Sequence, residues 1–203
     1  MGQEILAVLL ADKAYTSVHV LGRRALARKH AKIIEHIVDF GALPKLPQVD
    51  DCFIALGTTI KTAGSQAAFE AVDLTAVEAV ARAALAAGAT KLGVVSAMGA
   101  DSQSRVFYNR VKGAMEASLS CMGFKSLVIA RPSMLDGQRA ALNQTTRPGE
   151  QLGLKVMRCL KPLIPPNYRA IEAKDVADAL VRAVKLGKPG VVTLLSGEMQ
   201  KTS

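Results

Sequence analysis

Tryptophan is absent from this chain, and aromatic residues make up only 4% of its 203 positions. Ala, Val and Leu carry the apolar half of the composition instead, which suits helices packed on a sheet. No apolar run reaches the ~18–20 residues that cross a bilayer as a helix. The N-terminus shows no basic stretch ahead of an apolar core and no small-residue cleavage site, so no secretory signal is expected. Cysteine is scarce and odd in number: Cys52, Cys121 and Cys159 are far apart in apolar settings. That pattern predicts reduced core thiols and a cytoplasmic protein. Histidine is scarcer still in useful places. His19, His30 and His36 do not cluster with the cysteines at ligand spacing, so no metal site is expected.

What is plentiful is positive charge. The net charge is +9, and its clearest concentration is GRRALARKHAK at 22–32. An anionic cofactor or nucleic acid would suit such a balance. The basic stretch has no interleaved aromatics on which bases could stack, which argues against nucleic acid.

The stretch around which the rest is arranged is VVSAMGADSQSRVFYNRVKG at 94–113. An apolar strand ends in Ser96, a loop of Gly, Asp and Ser follows, and a helix then carries Tyr108 and Lys112. Residues i and i+4 share a helix face, so the phenol and the ammonium are expected in one space. A neighbouring ammonium lowers the pKa of a phenol, and a tyrosine so tuned exchanges a proton near neutrality. Ser96 could hydrogen-bond a substrate carbonyl and hold it against the phenol. The plainer alternative is a half-buried tyrosine beside a solvated lysine.

Along the chain, the pattern predicts a helix over 3–12, strands at 17–22 and 32–40, and an apolar strand at 52–57 buried on both faces. A long Ala-rich helix over 66–87 follows, then a strand at 91–96, the helix bearing Tyr108, and a strand at 124–132. Beyond 132 the alternation loosens. A helix at about 150–160, an amphipathic helix over 173–186 ended by Gly187, a last strand at 191–197 and a frayed tail are expected. The alternation implies right-handed crossovers and a parallel sheet covered on both faces. One domain is expected, with residues 1–132 as its cofactor-binding part and 133–203 as a small substrate-side part.

In such a sheet, ligands bind beyond the carboxyl ends of the strands. The polar and glycine positions gather there: Arg23 and Arg24, Asp39 and Phe40, Gly57 and Thr58, Ser96, and Arg131 to Ser133. Gly57 would let backbone approach a ligand, and the arginine pair suits a 2′-phosphate. Each has a simpler alternative. Gly57 could serve a turn, the arginines a solvated face, Asp39 a loop cap, and Arg131 a surface carboxylate.

With these residues in hand, the chain resembles the atypical short-chain dehydrogenase/reductases. The branch is that of the Tat-interactive-protein oxidoreductase and its bacterial NAD(P)-binding homologues. The matching stretches are LGRR at 21–24, VDF at 38–40, LGTTIKTAGS at 56–65, VSAMGADSQSRVFYNRVKG at 95–113 and RPSMLDG at 131–137. The resemblance implies a Rossmann-like fold and NADPH ahead of NADH. It implies Ser96 as the carbonyl-polarising group and Tyr108 as the proton donor. Lys112 would lower the phenol's pKa and bind the nicotinamide ribose. Arg23 and Arg24 would sit at the 2′-phosphate, Asp39 and Phe40 near the adenine, and Leu56, Gly57 and Thr58 along the cofactor. Arg131, Pro132, Ser133 and Leu135 would flank the nicotinamide.

One departure stands out. The family opens with a strand and a G-x-x-G-x-x-G turn that holds the pyrophosphate at a helix N-terminus. Here the chain opens Met1-Gly2-Gln3-Glu4, and only Gly2 corresponds to the last of those glycines. The expectation is a gap inside the sheet with unpaired backbone on both sides. A sequence that begins late would leave that gap. So would a genuinely shortened protein with weaker cofactor binding or another use of the fold, and a strand swapped from another subunit could fill it.

The reading is an NAD(P)H-dependent oxidoreductase acting on a small carbonyl or alcohol, with no membrane partner and a homodimer plausible. A non-catalytic dinucleotide-binding regulatory module is the alternative, and a sugar-nucleotide epimerase the third. Met134, Leu135, Tyr168 and Ile171 are the candidates for the substrate side.

Overall fold

The structure is a computed structural model that describes residues 1–136 and 165–200. It opens with α1 (Gly2–Ala11), then β1 (Val18–Gly22), β2 (Ile33–Ile37) and β3 (Asp51–Ile54). A single turn, α2 (Ile60–Ala63), and α3 (Gln66–Glu70) follow. From there the helix runs on through a π-helical segment, Ala71–Ala76, into α4 (Val77–Ala86). Next come β4 (Lys91–Val95), α5 (Phe107–Ser120), β5 (Ser126–Arg131) and the short β6 (Leu135–Asp136). The chain closes with β7 (Ile171–Glu172), α6 (Ala173–Leu186), β8 (Gly190–Leu195) and α7 (Ser196–Met199).

Every strand pairing is parallel. Among the described residues, β3, β4, β5 and β8 form one sheet in that order, while β1 pairs only with β2 and β6 only with β7. Period-two alternation along β5 feeds two cores. Val128 and Ala130 pack with α1 and α6, whereas Leu127 and Ile129 pack with α4 and α5. Helices therefore cover both faces, as the alternation of elements predicts. α6 fits close because Gly93 of β4 has no side chain: a Cβ there would lie 2.8 Å from Val184 Cγ2. Gly187 ends α6 with φ +60°, the left-handed value glycine adopts freely.

Several expectations need correcting. β3 stops at Ile54, and Cys52 and Phe53 are only half-buried, because among the described residues β3 has a neighbour on one side alone. β2 ends at Ile37, which leaves Asp39 and Phe40 in the following loop. Cys121 is exposed rather than a core thiol. Met199 is buried in the core instead of lying in a frayed tail. The helix at about 150–160 and Cys159 lie outside the described residues. The gap in the sheet is present: β1 and β3 border a common cleft and do not pair with each other.

Candidate active site at the carboxyl edge

The helix α5 begins directly after the loop that follows β4, and this loop lies hard against it. The Asp101 N–H donates to the Asn109 carbonyl at 3.0 Å. A Cβ at Gly113 would come within 2.1 Å of Ser102 N, so the loop seats on α5 only because residue 113 is glycine. The seat fixes three side chains at successive turns of one helix face, Tyr108, Lys112 and Glu116.

Lys112 is buried, and its Nζ lies 2.7 Å from Asp73 Oδ1, itself 1% exposed. The other carboxylate oxygen of Asp73 accepts the Thr58 N–H at 2.8 Å. The pair thus ties α5 to the π-helical segment and to the loop after β3. A Cβ on Gly57 would lie 3.3 Å from Asp73 Oδ1 and 3.9 Å from Lys112 Nζ, so glycine keeps this corner tight.

Glu116 forms the second tie. It receives the Ser96 hydroxyl in a short hydrogen bond, and Arg131 Nη2 at 2.5 Å with Nε at 3.1 Å. Such fork-on-carboxylate geometry is the strong form of the arginine pair. It holds the Arg131 guanidinium charged beyond its ordinary range, chiefly through that hydrogen bond. The ends of β4 and β5 are so joined through one carboxylate. A serine has a single O–H to donate. Bonded to Glu116, Ser96 presents lone pairs, not a donor, to anything else.

Tyr108 stands with its ring 5.6 Å from that of Phe69. Its hydroxyl has no hydrogen-bond partner among the described residues. Its pKa is raised, first by burial and then by the charge of Asp73. This reverses the expected lowering by Lys112. The ammonium is there, but a carboxylate 2.7 Å away offsets its field.

The remaining predicted positions divide. Gly57 and Thr58 sit beside the Asp73–Lys112 pair, with Leu56 just before them, half-buried. Arg23 and Arg24 follow β1 and are exposed. Asp39 caps its own turn, accepting the Gly41 N–H at 2.9 Å, which is the simpler of its two roles. Phe40 packs against the α4–α5 core. Arg131 pairs with the carboxylate of Glu116, which is buried and not the surface carboxylate of the simpler reading. Ser133 is held by Ser196 Oγ, which accepts its N–H at 2.7 Å, and by the Arg169 carbonyl. Pro132 is buried, and Gly2 opens α1 beside Ala55. Of the substrate-side candidates, Ile171 is core at 2% exposure and Leu135 packs against that same core. Met134 and Tyr168 are exposed.

Two residues escape the reading of the sequence. Asp73 continues the core-facing row Phe69, Asp73, Val77 at four-residue steps, and all three are buried. A lone acid in an apolar row is the signal. Glu116 continues the Tyr108–Lys112 spacing by one more turn.

No family model matches the chain. Protein HTATIP2 of Rattus norvegicus is 31% identical over 98% of the chain and 80% of its own length. The chain belongs to the HTATIP2 and FMP52 branch of the atypical short-chain dehydrogenase/reductases. In the same branch, FMP52 of Meyerozyma guilliermondii, named as mitochondrial, is 31% identical over the whole chain and 90% of its own length. Among solved structures, MoeE5 in complex with UDP-glucose and NAD superposes with TM-score 0.67 at 16% identity, over 95% of this chain and 71% of that one. A short-chain dehydrogenase family protein from Francisella tularensis gives TM-score 0.67 at 12% identity, over 97% and 93%. These structures share the Rossmann-like fold with this branch member. No helix among its described residues is long and apolar enough to cross a membrane.

Proposed function

We propose that this member of the branch is an NAD(P)H-dependent oxidoreductase that reduces a small carbonyl, with Tyr108 giving the proton. The observation that carries the reading is the single face of α5, where an unpartnered phenol stands one turn from a buried ammonium at the carboxyl edge. The dinucleotide bound to MoeE5 supports a nicotinamide cofactor. The residues present suit such a group at its two ends. Lys112 and the glycine-tight corner at Gly57 would face the nicotinamide ribose, and the exposed guanidinia of Arg23 and Arg24 the 2′-phosphate. The glycine turn for the pyrophosphate is missing from this stretch, and the first N–H groups of α1 remain to meet it.

When bound, the cofactor supplies the hydride. The phenol of Tyr108, kept neutral by burial and by Asp73, delivers its proton to the carbonyl oxygen. Ser96 orients that oxygen only after its O–H turns away from Glu116. The test is a panel of carbonyl substrates with NADPH. Tyr108→Phe should abolish turnover while leaving NADPH affinity within about twofold, since the ring and its packing stay. Full activity in Tyr108→Phe sinks the proposal.

A second reading rests on a specific observation. Lys112 and Ser96 are both spent on protein partners, Asp73 and Glu116. A dinucleotide-binding regulatory protein does not need Ser96 free to polarise a carbonyl. Cofactor binding without turnover across the panel would select it.

A further inference from the structure

Two short rows of side chains meet behind the phenol of Tyr108. On α5 the row is Tyr108 and Lys112. On α3 and the π-helical segment that continues it, the row is Phe69 and Asp73, also four residues apart. The rows face each other member for member. The Phe69 ring lies 5.6 Å from that of Tyr108, and Asp73 Oδ1 lies 2.7 Å from Lys112 Nζ. Phe69 and Asp73 are both sealed from water, at 0% and 1% exposure. The Thr58 N–H holds the carboxylate from its other oxygen, which fixes its rotation toward the ammonium.

A buried ion pair is a poor way to stabilise a fold, since apolar residues of like volume often pack as well or better. The position of this pair gives it another task. Beside Lys112 alone, the phenol would meet an uncompensated cation, which favours phenolate. With Asp73 in place that field is answered, and the phenol remains an acid. The other charged groups on the elements packed against α5 are engaged elsewhere or reach water. Glu116 is tied to Arg131 and Ser96, Glu78 to Arg82, and Asp101 accepts the Gln103 N–H. Arg110 donates to the Ser104 carbonyl, and Glu70 and Arg105 are exposed.

We propose that Asp73 is a positioning residue of the reduction: its carboxylate anchors the Lys112 ammonium and sets the pH above which Tyr108 ceases to act as the acid. The proposal rests on the oxidoreductase reading and adds to it a working range, with carbonyl reduction undiminished through neutrality and into alkali. The equilibrium between carbonyl and alcohol is untouched, because the enzyme is the same before and after a turnover. What Asp73 moves is the pH at which each direction reaches half its maximum.

Three variants of the full chain test this. Asp73→Asn keeps the volume and an acceptor for Thr58 but removes the charge, Asp73→Glu keeps the charge, and Lys112→Met removes the cation. The first readout is tyrosinate absorbance without substrate or cofactor, each chain measured against its counterpart that also carries Tyr108→Phe. The Tyr108 midpoint should fall by about one pH unit in Asp73→Asn, a tenfold loss of proton affinity, rise by about as much in Lys112→Met, and stay in place in Asp73→Glu. The second readout is kcat/KM for carbonyl reduction with NADPH, whose alkaline limb should begin about one unit lower in Asp73→Asn than in the parent chain. A midpoint that moves by less than about 0.3 unit in either Asp73→Asn or Lys112→Met, once folded, overturns the proposal whatever the turnover. Equal falls in Asp73→Asn and Asp73→Glu overturn it too, since disturbed packing rather than lost charge would be the cause. If Asp73→Asn does not fold, Lys112→Met decides alone, with its shift of opposite sign. Midpoints that move as stated in chains that reduce no carbonyl would overturn the oxidoreductase reading instead, and leave the hold of Asp73 on the phenol standing.

Discussion

The carboxyl edge of the four-stranded sheet and the cleft between β1 and β3 lie within one small protein and treat buried polarity in opposite ways. At the edge, Lys112, Asp73, Glu116, Ser96 and Arg131 each meet a partner of matching chemistry. In the cleft, the facing edges of β1 and β3 pair with no strand among the described residues. The edge is closed because three strand ends and two helices converge on it. Among the described residues, no strand lies between β1 and β3. Order at the edge therefore depends on side chains, and order at the cleft on backbone.

The contrast is broken most severely at Asp73. Removing it in Asp73→Ala leaves a buried ammonium and the Thr58 N–H unpaired and should cost about 3–5 kcal/mol, read from urea denaturation. Pairing the two changes as Asp73→Leu with Lys112→Met should recover most of that loss, since no lone charge remains. A cost below about 0.5 kcal/mol for Asp73→Ala would mean the pair is not built into the fold.

Glu116→Ala should cost about 2 kcal/mol by the same measurement, less because Arg131 reaches solvent and can be hydrated. Glu116→Gln keeps an acceptor for Ser96 and should cost less again. If the two variants are equally unstable, the charge on Arg131 matters and the serine does not.

Alkaline pH probes the tyrosines. Tyr108 and Tyr15 both have their pKa raised in the fold, by burial first; the Asp73 charge adds to it at Tyr108 and the hydrogen bond to Asp51 at Tyr15. The folded chain thus holds its phenolic protons more tightly than the unfolded chain. That stability is full below the unfolded value of about 10 and is lost as pH rises beyond it. The urea midpoint should fall above about pH 10, and tyrosinate absorbance should lag behind that of the unfolded chain. Reduction through Tyr108 should stay flat across neutral pH.

The smallest effect on stability belongs to the β1 side. Arg23→Ala and Arg24→Ala remove exposed guanidinia and should move the urea midpoint by less than about 0.5 kcal/mol. If these residues hold a 2′-phosphate, the preference for NADPH over NADH should fall by about tenfold, the loss of a charge-assisted contact. Unchanged preference would leave them as a solvated face.

How far the sequence carried the reading differs from place to place. α6 runs over the 173–186 expected, because its apolar stripe is regular and Gly187 ends it. β4 and α5 were equally legible, and with them the placement of Ser96 just past a strand end and of Tyr108 and Lys112 four residues apart on one helix. The lack of pairing between β1 and β3 was legible too. The sign of the Tyr108 shift was not, because the carboxylate that reverses it comes from a helix 35 residues earlier in the chain. Ile171 could not be told from a pocket residue, because an isolated isoleucine after a loop carries no period.

The three-turn row on α5 also works as a length standard. Successive members are four residues, about 6 Å of axial rise, apart, and two of them are clamped, Lys112 to the π-helical segment and Glu116 to the ends of β4 and β5. Sliding α5 along its axis, or rolling it by one residue, would unseat Asp73 from Lys112 and Arg131 from Glu116 in the same motion. The helix consequently has one permitted registration against the sheet, and the phenol at its head inherits a position fixed by the two ties behind it.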